Sequence, residues 1–182
     1  MSNFSQEIDS QKIGFIGVGL MGTGMVQRLL AAGHETYVLV HKNRVPIEKV
    51  CKMGAIHCDN VSDLAARVEF IFLCLPSSSE VTRIAKEISR SRSKANLVID
   101  CTTNSPGSLT TIHEIFSNAN IEYLEAPLTG GVTQAERGQL GAILGGTKEA
   151  VKKARPLLSA CCSEVVHVGP VGMGANTKLV SN

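Results

Sequence analysis

Six residues near the amino end, Gly17-Val18-Gly19-Leu20-Met21-Gly22, have the types and spacing that let a backbone take hold of a phosphate. The pattern is GxGxxG, and its weight comes from what flanks it. Ile13, Phe15 and Ile16 form an apolar strand run directly before the glycines, and Met21, Met25, Val26, Leu29 and Leu30 recur at helical spacing directly after them. In that setting Gly17 permits the tight turn, Gly19 lets a pyrophosphate approach the backbone, and Gly22 lets helix and strand pack closely. The N–H groups and positive dipole end of the helix then face the anion. A second group, Pro127-Leu128-Thr129-Gly130-Gly131, follows a strand and offers backbone N–H groups with the Thr129 hydroxyl, a set suited to a carboxylate. The same turn also serves as a plain strand exit. Lys178 and Asn182 stand four residues apart near the end of the chain, which raises both from one face of a helix. By itself a helical lysine is a solvated surface residue.

The elements that must position these groups alternate between strand and helix. After the first strand and helix, Gly33-His34 closes the helix and Thr36–Val40 reads as a second strand. Pro46 opens a short helix over Ile47, Val50 and Met53 that Gly54 ends, and residues 55–58 form a short third strand. Ser62 is expected to cap a helix over 63–67, and residues 69–75, EFIFLCL, form a near-continuous apolar strand of the kind covered on both faces. Helix 79–89, strand 96–100, helix 106–118 and strand 121–125 continue the series, with Ser105 as cap and Pro106 at the first helical position. Residues 140–144 and 165–168 read as further strands around a helix over 148–158. The expected fold is therefore α/β: a doubly wound, mostly parallel, Rossmann-like sheet.

The end of the second strand bears on which dinucleotide is held. Readers of NAD place an Asp or Glu there, about 20 residues past the glycines, on the ribose hydroxyls. Here His41, Lys42 and Arg44 follow instead, with no carboxylate before Glu48. A basic pocket without the acid suits a 2′-phosphate and favours NADP over NAD, although a basic loop needs no ligand to exist.

Composition narrows the partners. A net charge of +2 with scattered basic residues gives no footprint for nucleic acid or a membrane surface. The apolar runs are far shorter than a membrane span, and the polar opening MSNFSQEIDSQ is unlike a secretory signal, so a cytoplasmic location is expected. The six cysteines show neither CxxC pairs nor metal-ligand spacing and read as small core residues and free thiols of a reducing compartment, with no metal site.

Taken in order, the motifs resemble the β-hydroxyacid dehydrogenase family, the group of 3-hydroxyisobutyrate dehydrogenases, tartronate semialdehyde reductases and succinic or glyoxylate semialdehyde reductases. Gly17 to Gly22 matches the GxGxMG fingerprint, including Met21. Leu75-Pro76 followed by Ser77, Ser78 and Ser79 resembles a strand-end loop that contacts the cofactor. Asp100-Cys101-Thr102-Thr103 resembles the D-x-S/T-T segment, with Thr103 near the nicotinamide half. Glu125 to Gly131, followed by Ala135, Gly138, Leu140 and Gly145-Gly146, resembles the substrate signature DAPVSGG, with Glu125 for the usual Asp and Thr129 for the usual Ser. Gly172 to Asn182 resembles the segment holding the catalytic Lys and Asn.

The resemblance implies hydride transfer between a nicotinamide cofactor, NADP favoured and NAD possible, and a small 3-hydroxy acid or semialdehyde such as 3-hydroxyisobutyrate. It implies Lys178 as general acid in reduction and base in oxidation, Asn182 orienting the substrate, and Thr129, Gly130 and Gly131 binding its carboxylate. Gly17, Val18, Gly19, Leu20, Met21, Gly22, His41, Lys42, Arg44, Leu75, Pro76, Ser77 and Thr103 are then the cofactor contacts. The domain reading is a disordered leader over 1–11, the nucleotide domain over 12–171, and the start of an interdomain helix over 172–182. Family members continue there into an all-helical domain that closes the cleft and builds the dimer. The 182-residue chain is therefore expected to bind NADP(H) with poor or absent turnover and is compatible with a homo-oligomer. The competing reading is a non-catalytic NADP-binding or interaction module of the same fold. That module and the imine-reducing branch both depart from Lys at the catalytic position, and the 6-phosphogluconate branch surrounds its substrate turn with a different pattern.

Overall fold

The structure, a computed structural model, describes residues 9–39 and 45–181. Its sheet follows from apolar runs too short for helices and covered on both sides. β1 (Lys12–Ile16), β4 (Phe70–Leu73) and β5 (Leu97–Asp100) are its centre, and their apolar residues are almost wholly buried. β2 (Glu35–Leu39) and β3 (Ile56–Cys58) pair outward from β1, and β6 (Glu122–Glu125) pairs outward from β5. Every pairing from β3 to β6 is parallel, in the order β3-β2-β1-β4-β5-β6. The chain leaves β1 toward one edge and returns at β4 toward the other, so the direction of winding reverses between β1 and β4.

Helices cover both faces. α1 (Leu20–Ala31), α2 (Val45–Lys52), α6 (Val132–Arg137) and α7 (Lys148–Leu158) place Met25, Leu29, Val50, Ala135 and Leu157 in one apolar cluster with Phe15 and Phe72. α3 (Val61–Ala65), α4 (Ser78–Arg90) and α5 (Pro106–Asn118) place Leu64, Ile84, Ile88, Ile112 and Phe116 in the other. The boundaries of α5 and α7 match their sequence reading. α3 does not: its N-cap is Asn60, whose Oδ1 accepts from the Asp63 N–H at 2.9 Å, rather than Ser62. Starting at Val61 lets that valine face the core. Ser105 occupies the N-cap position of α5, but its hydroxyl bonds to Ser108 Oγ rather than to the backbone.

Beyond β6 the winding changes. β7 (Leu128–Thr129), unforeseen in the sequence, lies two residues after β6, and α6 then turns the chain back. β8 (Leu140–Gly145) consequently runs antiparallel to both, pairing Gly145 with Glu125 and Ala142 with Leu128. β9 (Cys162–Gly169) runs parallel to β8 and pairs Val165 with Ala142. Because Ala142 pairs with Leu128 and Val165 together, β7 and β9 lie on opposite edges of β8. The last helix, α8 (Met173–Ser181), packs Ala175 into the cluster of α4 and α5.

Candidate functional site

At the β1–α1 junction, two of the three glycines are closed in and one is open. Gly17 has φ +109°, and a side chain there would drive into the carbonyl oxygen of Cys74. One at Gly22 would collide with the Gly17 carbonyl, so α1 sits directly on the end of β1. At Gly19 an added carbon meets nothing within 4 Å. Gly19 is the N-cap of α1, with no side-chain cap and no acidic residue in the first turn, and its own carbonyl accepts from Thr23 N and Thr23 Oγ1 at 2.9 and 2.7 Å. The helix thus presents its positive end to open space. Val18 is buried beneath the turn, Met21 is half-buried, and Leu20, 79% exposed, stands at the mouth.

The next two strand ends are tied to this turn. Cys74 N–H donates to Ile16 O and Cys101 N–H to Leu73 O, so the ends of β1, β4 and β5 advance in register. Leu75 N–H donates to Thr102 Oγ1 at 3.0 Å, and Ser105 N–H to Ser78 Oγ at 2.9 Å, which stitches the loop holding Leu75, Pro76 and Ser77 to the loop holding Thr103. Ser77 caps α4 through Glu80 N–H, while Pro76 and Thr103 are exposed. Beneath them lies Asp100, fully buried. Its carboxylate accepts from Thr102 N at 2.9 Å, Asn104 Nδ2 at 2.7 Å and Tyr123 Oη at 2.8 Å. Burial pushes its pKa up, and those hydrogen bonds oppose the rise. Burial first, and Asp100 second, push the Tyr123 phenol well up.

The end of β6 builds the other side. Glu125 is also buried, and its Oε1 accepts from Gly172 N at 2.8 Å and Gly174 N at 2.6 Å, where α8 begins. Burial raises its pKa against the pull of those amides. Thr129 lies in β7 with its hydroxyl over Gly141, where any side chain would displace it. Gly130 takes φ +112° and Gly131 opens α6, but the Gly131 N–H donates to Gln134 Oε1 at 3.0 Å. One backbone donor of the expected carboxylate cradle is therefore engaged by the chain itself. Lys178 is half-buried on α8. His41, Lys42, Arg44 and Asn182 lie outside the described residues.

Sequence reasoning assigned no role to Asp100, Asn104, Tyr123 or Glu125. The signal for Asp100 is an acid closing an otherwise apolar strand, LVID, whereas Glu125 closes EYLE, a strand that also opens on an acid. A cleft of about 370 Å³ lies away from the glycine turn, between α5 and the start of α8, lined by Leu109, His113, Pro170 and Gly172 among others. Among the described residues no group of His, Cys, Asp or Glu has the arrangement of a metal site, and no helix is long and apolar enough to cross a membrane.

The family described as the NAD binding domain of 6-phosphogluconate dehydrogenase matches residues 12–169. The chain belongs to that family. Its relatives are β-hydroxyacid dehydrogenases. It is 32% identical over 178 residues to 2-(hydroxymethyl)glutarate dehydrogenase of Eubacterium barkeri, covering 95% of this chain and 58% of that protein. The structure of Mycobacterium tuberculosis 3-hydroxyisobutyrate dehydrogenase with L-serine superimposes with a TM-score of 0.90 at 25% identity, over 94% of this chain and 59% of that one. That of Psf3 in complex with NADP+ and 2-OPP gives 0.85 at 29% identity, over 93% and 61%. The chain thus spans somewhat over half the length of these family members.

Proposed function

We propose that this chain holds a nicotinamide dinucleotide, NADP(H) in preference to NAD(H), outside the carboxyl ends of β1, β4 and β5. In this reading it serves an oxidoreductase that interconverts a small 3-hydroxy acid, such as 3-hydroxyisobutyrate, and its semialdehyde. The observation that carries the reading is the contrast within the glycine turn. Gly17 and Gly22 are closed in by backbone, whereas Gly19 faces open space at the uncapped end of α1. Such a cradle fits a pyrophosphate.

Residues 12–171 form the nucleotide-binding unit of this reading. The turn from Gly17 to Gly22 holds the pyrophosphate, His41, Lys42 and Arg44 pair with a 2′-phosphate, and Leu75, Pro76, Ser77 and Thr103 line the way to the nicotinamide. When bound, the nicotinamide supplies or accepts the hydride. Lys178, on α8, gives a proton to the substrate oxygen in reduction and removes it in oxidation. Asn182 orients that oxygen. Thr129, Gly130 and Gly131 hold the substrate carboxylate, which takes the place of the Gln134 amide oxygen at the Gly131 N–H. The NADP+ in the Psf3 structure supports the nucleotide part, and the names of the relatives support the hydroxy-acid part. Six unpaired cysteines suit a reducing compartment such as the cytoplasm.

Titration of the chain with NADPH and NADH side by side tests the reading. Saturable binding of NADPH, tighter than of NADH, is expected. Tighter NADH binding would overturn the role given to His41, Lys42 and Arg44. Saturation by neither would overturn the dinucleotide site itself.

A further inference from the structure

We infer that Glu125 is a positioning residue: its carboxylate fastens the first turn of α8 to the end of β6 and so sets where Lys178 stands relative to the Thr129–Gly131 turn. The inference rests on the role proposed for Lys178. The bonds that carry it join residues 47 and 49 positions apart, from Gly172 N and Gly174 N to Glu125 Oε1. Those amides belong to the opening of α8, where backbone N–H groups have no partner within the helix. A buried carboxylate is among the strongest acceptors available to them, and its charge opposes the positive end of the helix dipole.

Three features show that the contact is fitted to this side chain. First, the carboxylate occupies space that neighbouring residues leave empty. A side chain at Gly145, the β8 residue paired with Glu125, would collide with the carboxylate, and one at Gly174 would come within 2.9 Å of Oε1. Second, the length matters. An aspartate, the residue usual in the family signature, is one methylene shorter and would fall short of both amides from the same backbone position. Third, Glu125 immediately precedes Ala126 and Pro127, both buried, which lead into β7 and the Thr129–Gly131 turn. One carboxylate therefore stands between the segment proposed to hold the substrate acid and the helix that carries the amine. Asp100, its neighbour across β5–β6, has the corresponding task for the loop of Thr102 and Thr103.

The test compares wild type, Glu125→Gln and Glu125→Asp in the 182-residue chain without ligand, by amide hydrogen exchange and by the NMR positions of the Gly172 and Gly174 amide protons. Gln keeps the shape and one acceptor oxygen but loses the charge, and Asp keeps the charge but loses the reach. Both are expected to speed exchange over 172–178 by about tenfold, the loss expected for an N-cap. Both should move the two glycine amide resonances upfield and leave protection in β1, β4 and β5 intact. Unchanged exchange in α8, or equal loss across the sheet, would overturn the inference, the second result marking Glu125 as a general packing residue. A second arm labels Lys178 by reductive methylation with carbon-13. Its signal is expected to shift on saturation with NADPH in wild type and to lose that shift in Glu125→Gln. Retention of the shift would overturn the positioning role. Failure of wild type to bind NADPH would instead count against the proposed function, because the exchange arm needs no ligand.

Discussion

The two sides of the site are built by different means. On the nucleotide side, the decisive contacts join neighbours in sequence: Gly22 packs on Gly17, and Thr23 bonds to Gly19. On the side of the Thr129–Gly131 turn and α8, they join distant segments, Glu125 to Gly172 and Gly174, and Thr129 over Gly141. A local contact survives modest change elsewhere in the fold. A long-range one exists only while the intervening sheet holds its register. The mixed part of the sheet, where β8 runs antiparallel to β6 and β7, is therefore as much a part of the site as the glycine turn.

Substitutions can break this comparison in graded steps. Gly17→Ala forces a methyl into the Cys74 carbonyl and leaves alanine at φ +109°, so it is expected to cost about 2–5 kcal/mol in urea unfolding and to abolish NADPH binding. If it binds NADPH normally, the glycine turn is not the cradle. Asp100→Asn faces an amide N–H₂ toward donors that need an acceptor, and a loss of about 2–4 kcal/mol is expected by the same measurement. Asp100 also has a pH signature. Burial raises its folded pKa and that of Glu125 above their unfolded values, so both contribute stability at low pH. That contribution is lost as pH rises from the ordinary carboxylate range through the raised pKa values. Unfolding measured across that window should show stability falling with rising pH, with a shallower slope in Asp100→Asn.

Thr102→Val removes the acceptor for the Leu75 N–H and should cost about 1–2 kcal/mol while weakening NADPH binding. Wild-type affinity in that variant would show that the stitch between the two loops does not order the nucleotide side. The smallest effect is expected at Asn60→Ala, a loss of about 1 kcal/mol from the α3 cap with NADPH affinity unchanged, because α3 contributes nothing to either side of the site.

Much of this was legible in the residues. The strand-glycine-helix order from Lys12 to Ala31 announced the turn, since each residue that matters lies within one crossing of the next. The start of α5 was readable because Pro106 sits where helices begin. The α3 cap was misplaced by two residues because Asn60 and Ser62 are both good caps, and only the need to bury Val61 chooses between them. β7 and α6 were missed because two residues of strand and six of helix are too short to show a period.

What the sequence by itself determined was the alternation of apolar runs with amphipathic helices and the glycines of the first crossing, because period, side-chain size and backbone freedom are local properties. The tertiary structure decided that the Gly131 N–H is held by Gln134, that Asp100 gathers Thr102, Asn104 and Tyr123, and that Glu125 meets α8. The physical reason is burial. A carboxylate taken out of water must find donors wherever the fold brings them, and which amides arrive beside it depends on the path of the whole chain.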